Sequence, residues 1–171
     1  MRGAVSADLR RIAVEVIERL LAADASVAVA ESCTGGLIAA ALTTVPGASR
    51  VLWGSAVVYS EAAKITLTAI EPEILEEHGT VSAATSVALA AAVRLRADST
   101  YGIAVTGWAG PTADEGGAVG EVHGALSSAR GTSSGSWYFD GDRDEVREQA
   151  AYAVLSLLRG HLAAAQDGAD E

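Results

Sequence analysis

Between Ser6 and Leu21 the apolar residues Leu9, Ile12, Ala13, Val16, Ile17, Leu20 and Leu21 recur at helical spacing, and Arg10, Arg11, Glu15 and Arg19 fall largely outside that stripe. This pattern predicts an amphipathic helix. Ser26–Ala30 is short, apolar and Val-rich, which predicts a buried strand running into Glu31-Ser32-Cys33-Thr34-Gly35-Gly36. Leu37–Leu42 reads as helix again, ended by Pro46-Gly47, and Val51–Tyr59 as the next strand. Ser60 can cap a helix over Glu61–Ala69, and Pro72 can open a short one that closes at Gly79. The Ala-rich stretch Ser82–Arg96 predicts a helix and Tyr101–Thr106 a strand, followed by the Gly-rich loop 107–117. Val119–Ala129 and Ser136–Asp140 read as paired strands joined by a turn region over Arg130–Gly135. Asp142 with Glu145 fits a capping box for a last helix running to about Leu162. Strands alternating with helices, plus a late hairpin, predict an α/β fold, a three-layer sandwich in which a mixed β-sheet is covered by helices. One domain over residues 1–165 is expected, with a disordered tail over 166–171.

Composition narrows the function. The 171 residues carry a formal charge of −10, and an acidic surface repels phosphate backbones, so no nucleic-acid partner is expected. The only cysteine, Cys33, excludes an internal disulfide and any multi-cysteine metal site. His78, His123 and His161 lack metal-ligand spacing, so neither a metal nor a cofactor is expected. No apolar run has the length of a membrane span, so the expected setting is cytoplasmic. The 12 basic residues are all arginine except Lys64, and Asn is absent. Lysine, unlike arginine, can lose its proton in a protein when its surroundings favour the amine.

Four places carry candidate chemistry. A serine where a buried strand meets a helix, as Ser32 is, can present its hydroxyl at the sheet edge, with backbone N–H groups nearby for an oxyanion or phosphate. Gly35 and Gly36 would allow close approach of a ligand, although Ser32 or Thr34 could equally be a helix cap. Tyr59 closes a strand, and Lys64 sits about one turn into the following helix, where the helix dipole disfavours a cation. That suits a general base, against the alternative of an exposed lysine paired with Glu61. In the loop from Thr106, Gly107 and Gly110 suit backbone approach to a ligand and Trp108 could stack on a flat ring, or the loop is simply a turn. Arg143, opening the last helix, could meet a phosphate or pair with Asp140 or Asp144. Cys33 has no base spaced to activate it and reads as a small buried residue.

These segments together resemble the nicotinamide-nucleotide amidase family, the C-terminal domain of the competence-damage protein CinA. The likeness runs through Ala30-Glu31-Ser32-Cys33-Thr34-Gly35-Gly36, Tyr59-Ser60-x-x-x-Lys64, His78-Gly79-x-Val81-Ser82 and Thr106-Gly107-x-Ala109-Gly110-Pro111. It continues through Val119-Gly120-x-Val122 to Gly141-Asp142-Arg143-x-x-Val146-Arg147. The resemblance implies a CinA C-terminal-domain-like fold and hydrolysis of the carboxamide of nicotinamide mononucleotide to nicotinic acid mononucleotide and ammonia. It implies Ser32, Tyr59 and Lys64 as catalytic residues. Cys33, Thr34, Gly35, Gly36, Thr106, Gly107, Gly110 and Arg143 are the expected substrate-binding residues, and the expected partners are a small pyridine nucleotide and further copies of the chain. Glu61, Trp108 and Glu121 stand where the family usually has Asn, Ile and commonly Thr, which keeps a non-catalytic, nucleotide- or partner-binding member as the alternative. Larger family members carry an additional N-terminal, pterin-binding-like domain.

Overall fold

The computed structural model describes residues 5–114 and 116–167. Helix α1 (Ala7–Ala22) leads into strand β1 (Val27–Glu31), helix α2 (Leu37–Thr43), a single 3-10 turn (Ala48–Arg50) and strand β2 (Leu52–Val57). Helices α3 (Glu61–Thr68), α4 (Pro72–His78) and α5 (Ala83–Ala97) follow, then strands β3 (Tyr101–Gly107), β4 (Glu121–Ser128) and β5 (Gly131–Tyr138). Helix α6 (Arg143–Asp167) ends the described chain. The expected α/β architecture with a mixed sheet is the one observed. The sheet order is β2-β1-β3-β4-β5; β1 runs parallel to both β2 and β3, and the β3–β4 and β4–β5 pairs are antiparallel.

Strand alternation divides the core in two. Val27 and Val29 of β1, Ile103 and Val105 of β3, and Val122 and Leu126 of β4 meet α1, α2 and α6 on one face. Ala28, Ala30, Ala104 and Ala125 point to the other face, against Leu89, Ala90 and Val93 of α5. The small residues on that face let α5 lie close to the sheet. At Gly102 an added Cβ would sit 2.1 Å from the Ala90 carbonyl oxygen, so only glycine fits there.

Serine caps open three of the helices, the one expected at Ser60 among them. Ser6, Ser60 and Ser82 each accept a backbone N–H in the first turn of α1, α3 and α5. The Asp142–Glu145 box closes in both directions, Glu145 N–H to Asp142 Oδ1 at 3.0 Å and Asp142 N–H to Glu145 Oε2 at 2.8 Å. Several boundaries differ from expectation. β5 begins at Gly131, so the hairpin turn is only Ala129-Arg130; the run Thr132-Ser133-Ser134-Gly135 has loop-like composition but pairs fully with β4 as an edge strand. β1 extends to Glu31, and β2 stops at Val57, before Tyr59. α6 continues past Leu162 to Asp167, which takes Gln166 and Asp167 out of the expected tail; the rest of that tail, 168–171, lies outside the described residues.

The chain leaves β1 for β2 through α2 on one face, and leaves β2 for β3 through α3–α5 on the other. The carboxyl ends of β1 and β3 therefore flank a point where connections diverge, the usual place for a ligand cleft in an open α/β sheet.

Candidate active site

At that point lies a cavity of about 390 Å³, lined by Ser32 and Cys33 after β1, Tyr59 and Lys64 around the start of α3, and Gly107 and Trp108 at the end of β3. Gly110, Asp114, Thr80, Val81 and Arg143 complete much of its wall. Ser32 and Lys64 are buried, at 7% and 2% exposure. Lys64 Nζ lies 3.2 Å from Ser32 Oγ and 3.2 Å from the Val58 carbonyl oxygen, and donates to both. The sequence alternative of an exposed Lys64 paired with Glu61 is therefore corrected: Glu61 is exposed while the lysine stem turns inward, to the end of β1. Burial works against the charged form of an amine, and a neutral amine beside a serine hydroxyl is the arrangement a base-activated nucleophile requires.

Ser32 is fixed by the sheet. Its N–H donates to the Val105 carbonyl at 3.1 Å, so β3 holds the first residue beyond β1. Alternation sends Ser32 toward α3 and its neighbour Glu31 to the opposite face. There the buried Glu31 carboxylate accepts from the backbone N–H groups of Gly36, Ile38 and Ala39 at 2.9–3.1 Å, from Thr34 Oγ1 at 2.8 Å and from Ser55 Oγ at 2.9 Å. Glu31 thus caps α2 from within the protein.

The structure places part of the expected substrate site away from this cleft. Neither Ser32 nor Thr34 caps α2; Gly36 occupies the cap position, and the helix amides belong to Glu31. Gly35 N–H donates to the Ser32 carbonyl at 3.0 Å, and Thr34 is buried, with its carbonyl accepting from Arg147 at 3.0 Å. Gly35 and Gly36 line a separate groove, shared with Ser6, Asp142 and Glu145. Thr106 is also turned away, its Oγ1 3.1 Å from Ser86 Oγ in the contact that fastens α5 to the sheet. Of the expected binding residues, Cys33, Gly107, Gly110 and Arg143 reach the cleft.

Arg143 pairs with neither Asp140 nor Asp144. Its guanidinium donates to the Gly110 carbonyl and to Tyr59 Oη, joining the start of α6, the glycine loop and the β2–α3 connection. Asp144 pairs instead with Arg147, at 2.9 Å. Tyr59 is 57% exposed and stands at the cleft rim. Cys33 is buried, and desolvation pushes its thiol from an ordinary 9.0 up to about 12, so it is protonated at neutral pH and poorly suited to attack.

Glu121 lies outside the cleft lining. Its carboxylate is 3.0 Å from His123 Nε2, and this hydrogen bond holds its pKa below the ordinary 4.5. Among the described residues no group of three His, Cys, Asp or Glu could hold a metal ion, and no helix is long and apolar enough to cross a membrane. Sequence reading did not single out Glu31 as a cap, nor Thr80 and Asp114 as cleft residues. The only signals were an acidic side chain at the end of an otherwise apolar strand, and proximity to motifs already noted.

The fold and cleft define an α/β protein with a buried serine–lysine pair at the divergence point of a mixed sheet. Residues 9–162 match the CinA C-terminal domain, and the chain belongs to that family. A CinA-like protein of Myxococcus xanthus is 47% identical over 162 residues, covering 92% of this chain and 38% of that protein. One from Anaeromyxobacter sp. strain K is 45% identical over 148 residues, covering 84% of this chain and 36% of its own length. The chain therefore spans well under half the length of these relatives. Among solved structures, a competence-damaged protein (CinA) superfamily protein from Klebsiella pneumoniae superposes with a TM-score of 0.87 at 28% identity, covering 91% of this chain and 98% of that one. The competence/damage inducible protein CihA from Agrobacterium tumefaciens gives 0.85 at 33% identity, covering 90% and 95%.

Proposed function

We propose that this protein is a nicotinamide-nucleotide amidase, converting nicotinamide mononucleotide and water to nicotinic acid mononucleotide and ammonia. The observation that carries this reading is the buried contact between Lys64 Nζ and Ser32 Oγ, 3.2 Å apart in a cleft of about 390 Å³. With Lys64 neutral, its lone pair takes the hydroxyl proton as Ser32 Oγ attacks the amide carbon. The Val58 carbonyl, accepting from the same amine, keeps it aimed at the serine. The proton then passes to the leaving nitrogen, the C–N bond breaks, and ammonia departs from an acyl-serine. Water attacks that ester, losing a proton to Lys64, and the acid product leaves as Ser32 regains its hydrogen. The amides of Gly35 and Gly36 are engaged elsewhere, which leaves oxyanion stabilisation to groups on the cleft side. Tyr59 and Arg143 close the rim, and Arg143 is the residue we assign to the substrate phosphate. The reading carries a small pyridine nucleotide as partner, self-association of the chain and a cytoplasmic setting.

The test is ammonia release from nicotinamide mononucleotide by the wild-type chain, with Ser32→Ala and Lys64→Met beside it. Release that disappears in both folded variants supports the amidase. Release that survives in Ser32→Ala overturns the serine mechanism. No release from a folded wild-type chain that still binds the nucleotide replaces the amidase with a binding protein.

A further inference from the structure

Trp108 follows β3 directly and lines the cleft together with Asp114. Its backbone is held on both sides, with N–H donating to the Glu121 carbonyl at 2.9 Å and carbonyl accepting from Gly120 N–H at 2.7 Å. The indole rests on the backbone of Gly117, where an added Cβ would lie 2.2 Å from Nε1 and 2.6 Å from Cδ1. Gly117 N–H in turn donates to the Asp114 carbonyl at 3.0 Å, which ties Asp114 to the residue beside the indole. This part of the wall therefore offers an electron-rich ring and a carboxylate. Arg143 supplies positive charge from α6.

We infer that this wall selects a quaternary pyridinium ring, with Trp108 stacking on it and Asp114 complementing its charge. The inference rests on the amidase reading and goes beyond it, because it names the electronic state of the ring. An indole face attracts a cation and gives no such attraction to a neutral ring of the same shape. The preference also suits the chemistry: a pyridinium withdraws electrons from its carboxamide and makes the amide carbon more open to Ser32. Selecting the cationic ring selects the more reactive amide.

The test uses the full chain carrying Ser32→Ala, which binds without turnover, and two ligands of matched shape. These are nicotinamide mononucleotide, whose ring is cationic, and the carbon-linked benzamide riboside 5′-monophosphate, whose ring is neutral. Calorimetry is expected to give about tenfold tighter binding of the cationic ligand. Adding Trp108→Ile should reduce that ratio to less than about threefold, whereas Trp108→Phe retains most of it. Nicotinamide mononucleotide should also quench indole fluorescence in the parent, and lose most of that quenching in Trp108→Ile although Trp53 and Trp137 remain. Equal affinity for the two ligands in the parent overturns the inference, as does a Trp108→Ile change that weakens both alike. Ammonia release by the wild-type chain separates the two claims. Release without ring discrimination sinks this inference alone, and discrimination without release sinks the amidase alone.

Discussion

Glu31 and Ser32 are neighbours in sequence and face opposite sides of the sheet. Glu31 is closed off, its carboxylate accepting five hydrogen bonds that tie β1, β2 and α2 together. Ser32 opens onto a cleft and has a lysine amine for company. A single motif thus does two separate tasks, and strand alternation is what separates them. The lesson concerns helix N-termini: unpaired amides attract anions, and here the protein supplies its own. The glycines of Thr34-Gly35-Gly36 serve the turn into α2 and the groove beyond it, while the chemistry sits on the other face.

The largest effect should come from the open side. Ser32→Ala and Lys64→Met are each expected to reduce ammonia release by about 10³-fold or more, as loss of a nucleophile or its base does elsewhere. The thermal midpoint of Ser32→Ala should stay within about 3 °C of wild type, because the hydroxyl contributes little to packing. Glu31→Ala should show the reverse emphasis. It strands several amide donors at the start of α2, and a loss of about 3–5 kcal/mol is expected, read as a drop of roughly 10 °C or more in the melting midpoint. Should Glu31→Ala melt like wild type, the contrast between the two faces collapses.

Arg143→Ala tests the rim. Losing the guanidinium that joins Gly110 to Tyr59 should raise KM for the nucleotide about tenfold with a smaller change in kcat, and Arg143→Lys should recover only part of it. The smallest effect is expected at Cys33. Cys33→Ala should change the rate at pH 7 less than about threefold, since the thiol is protonated there. Its raised pKa has a stability consequence with a definite sign. Below pH 9 both folded and unfolded chains hold the thiol proton. Between 9.0 and about 12 the unfolded chain has lost it while the folded chain keeps it, so stability falls as pH rises. Denaturant melts at pH 8 and pH 11 should show stability falling further in wild type than in Cys33→Ala, with the extra fall setting in around and above pH 9.

Much of the fold was legible because its signals are local. The apolar stripe of α1, the Ser60 cap of α3 and the Asp142–Glu145 box all lie within a few residues of what they determine. β5 was harder: small polar residues pair with β4 across the sheet, and that partner is visible only in three dimensions. Ser32 and Lys64 were legible as separate candidates, one from its strand-to-helix position and one as the only lysine. Their contact spans 32 residues and depends on α3 turning the amine inward. The role of Glu31 was not legible at all, because nothing local shows that a carboxylate at a strand end will be buried. Its five donors come from three separate segments. Arg143 likewise had acidic neighbours in sequence, but its partners in the structure are 33 and 84 positions away.

The placement of β3 at the centre of the sheet, between β1 and β4, has a consequence for the order in which the protein is made. A chain emerging from the ribosome releases Ser32 and Lys64 early, yet the strand whose Val105 carbonyl holds Ser32 comes some forty residues after the lysine. The arginine that latches the rim follows later still. Domains complete their folding as units once their sequence is available. A nascent chain or a truncated product therefore holds both reactive side chains without the frame that aligns them, and the nucleophile is assembled only when nearly the whole domain has been translated.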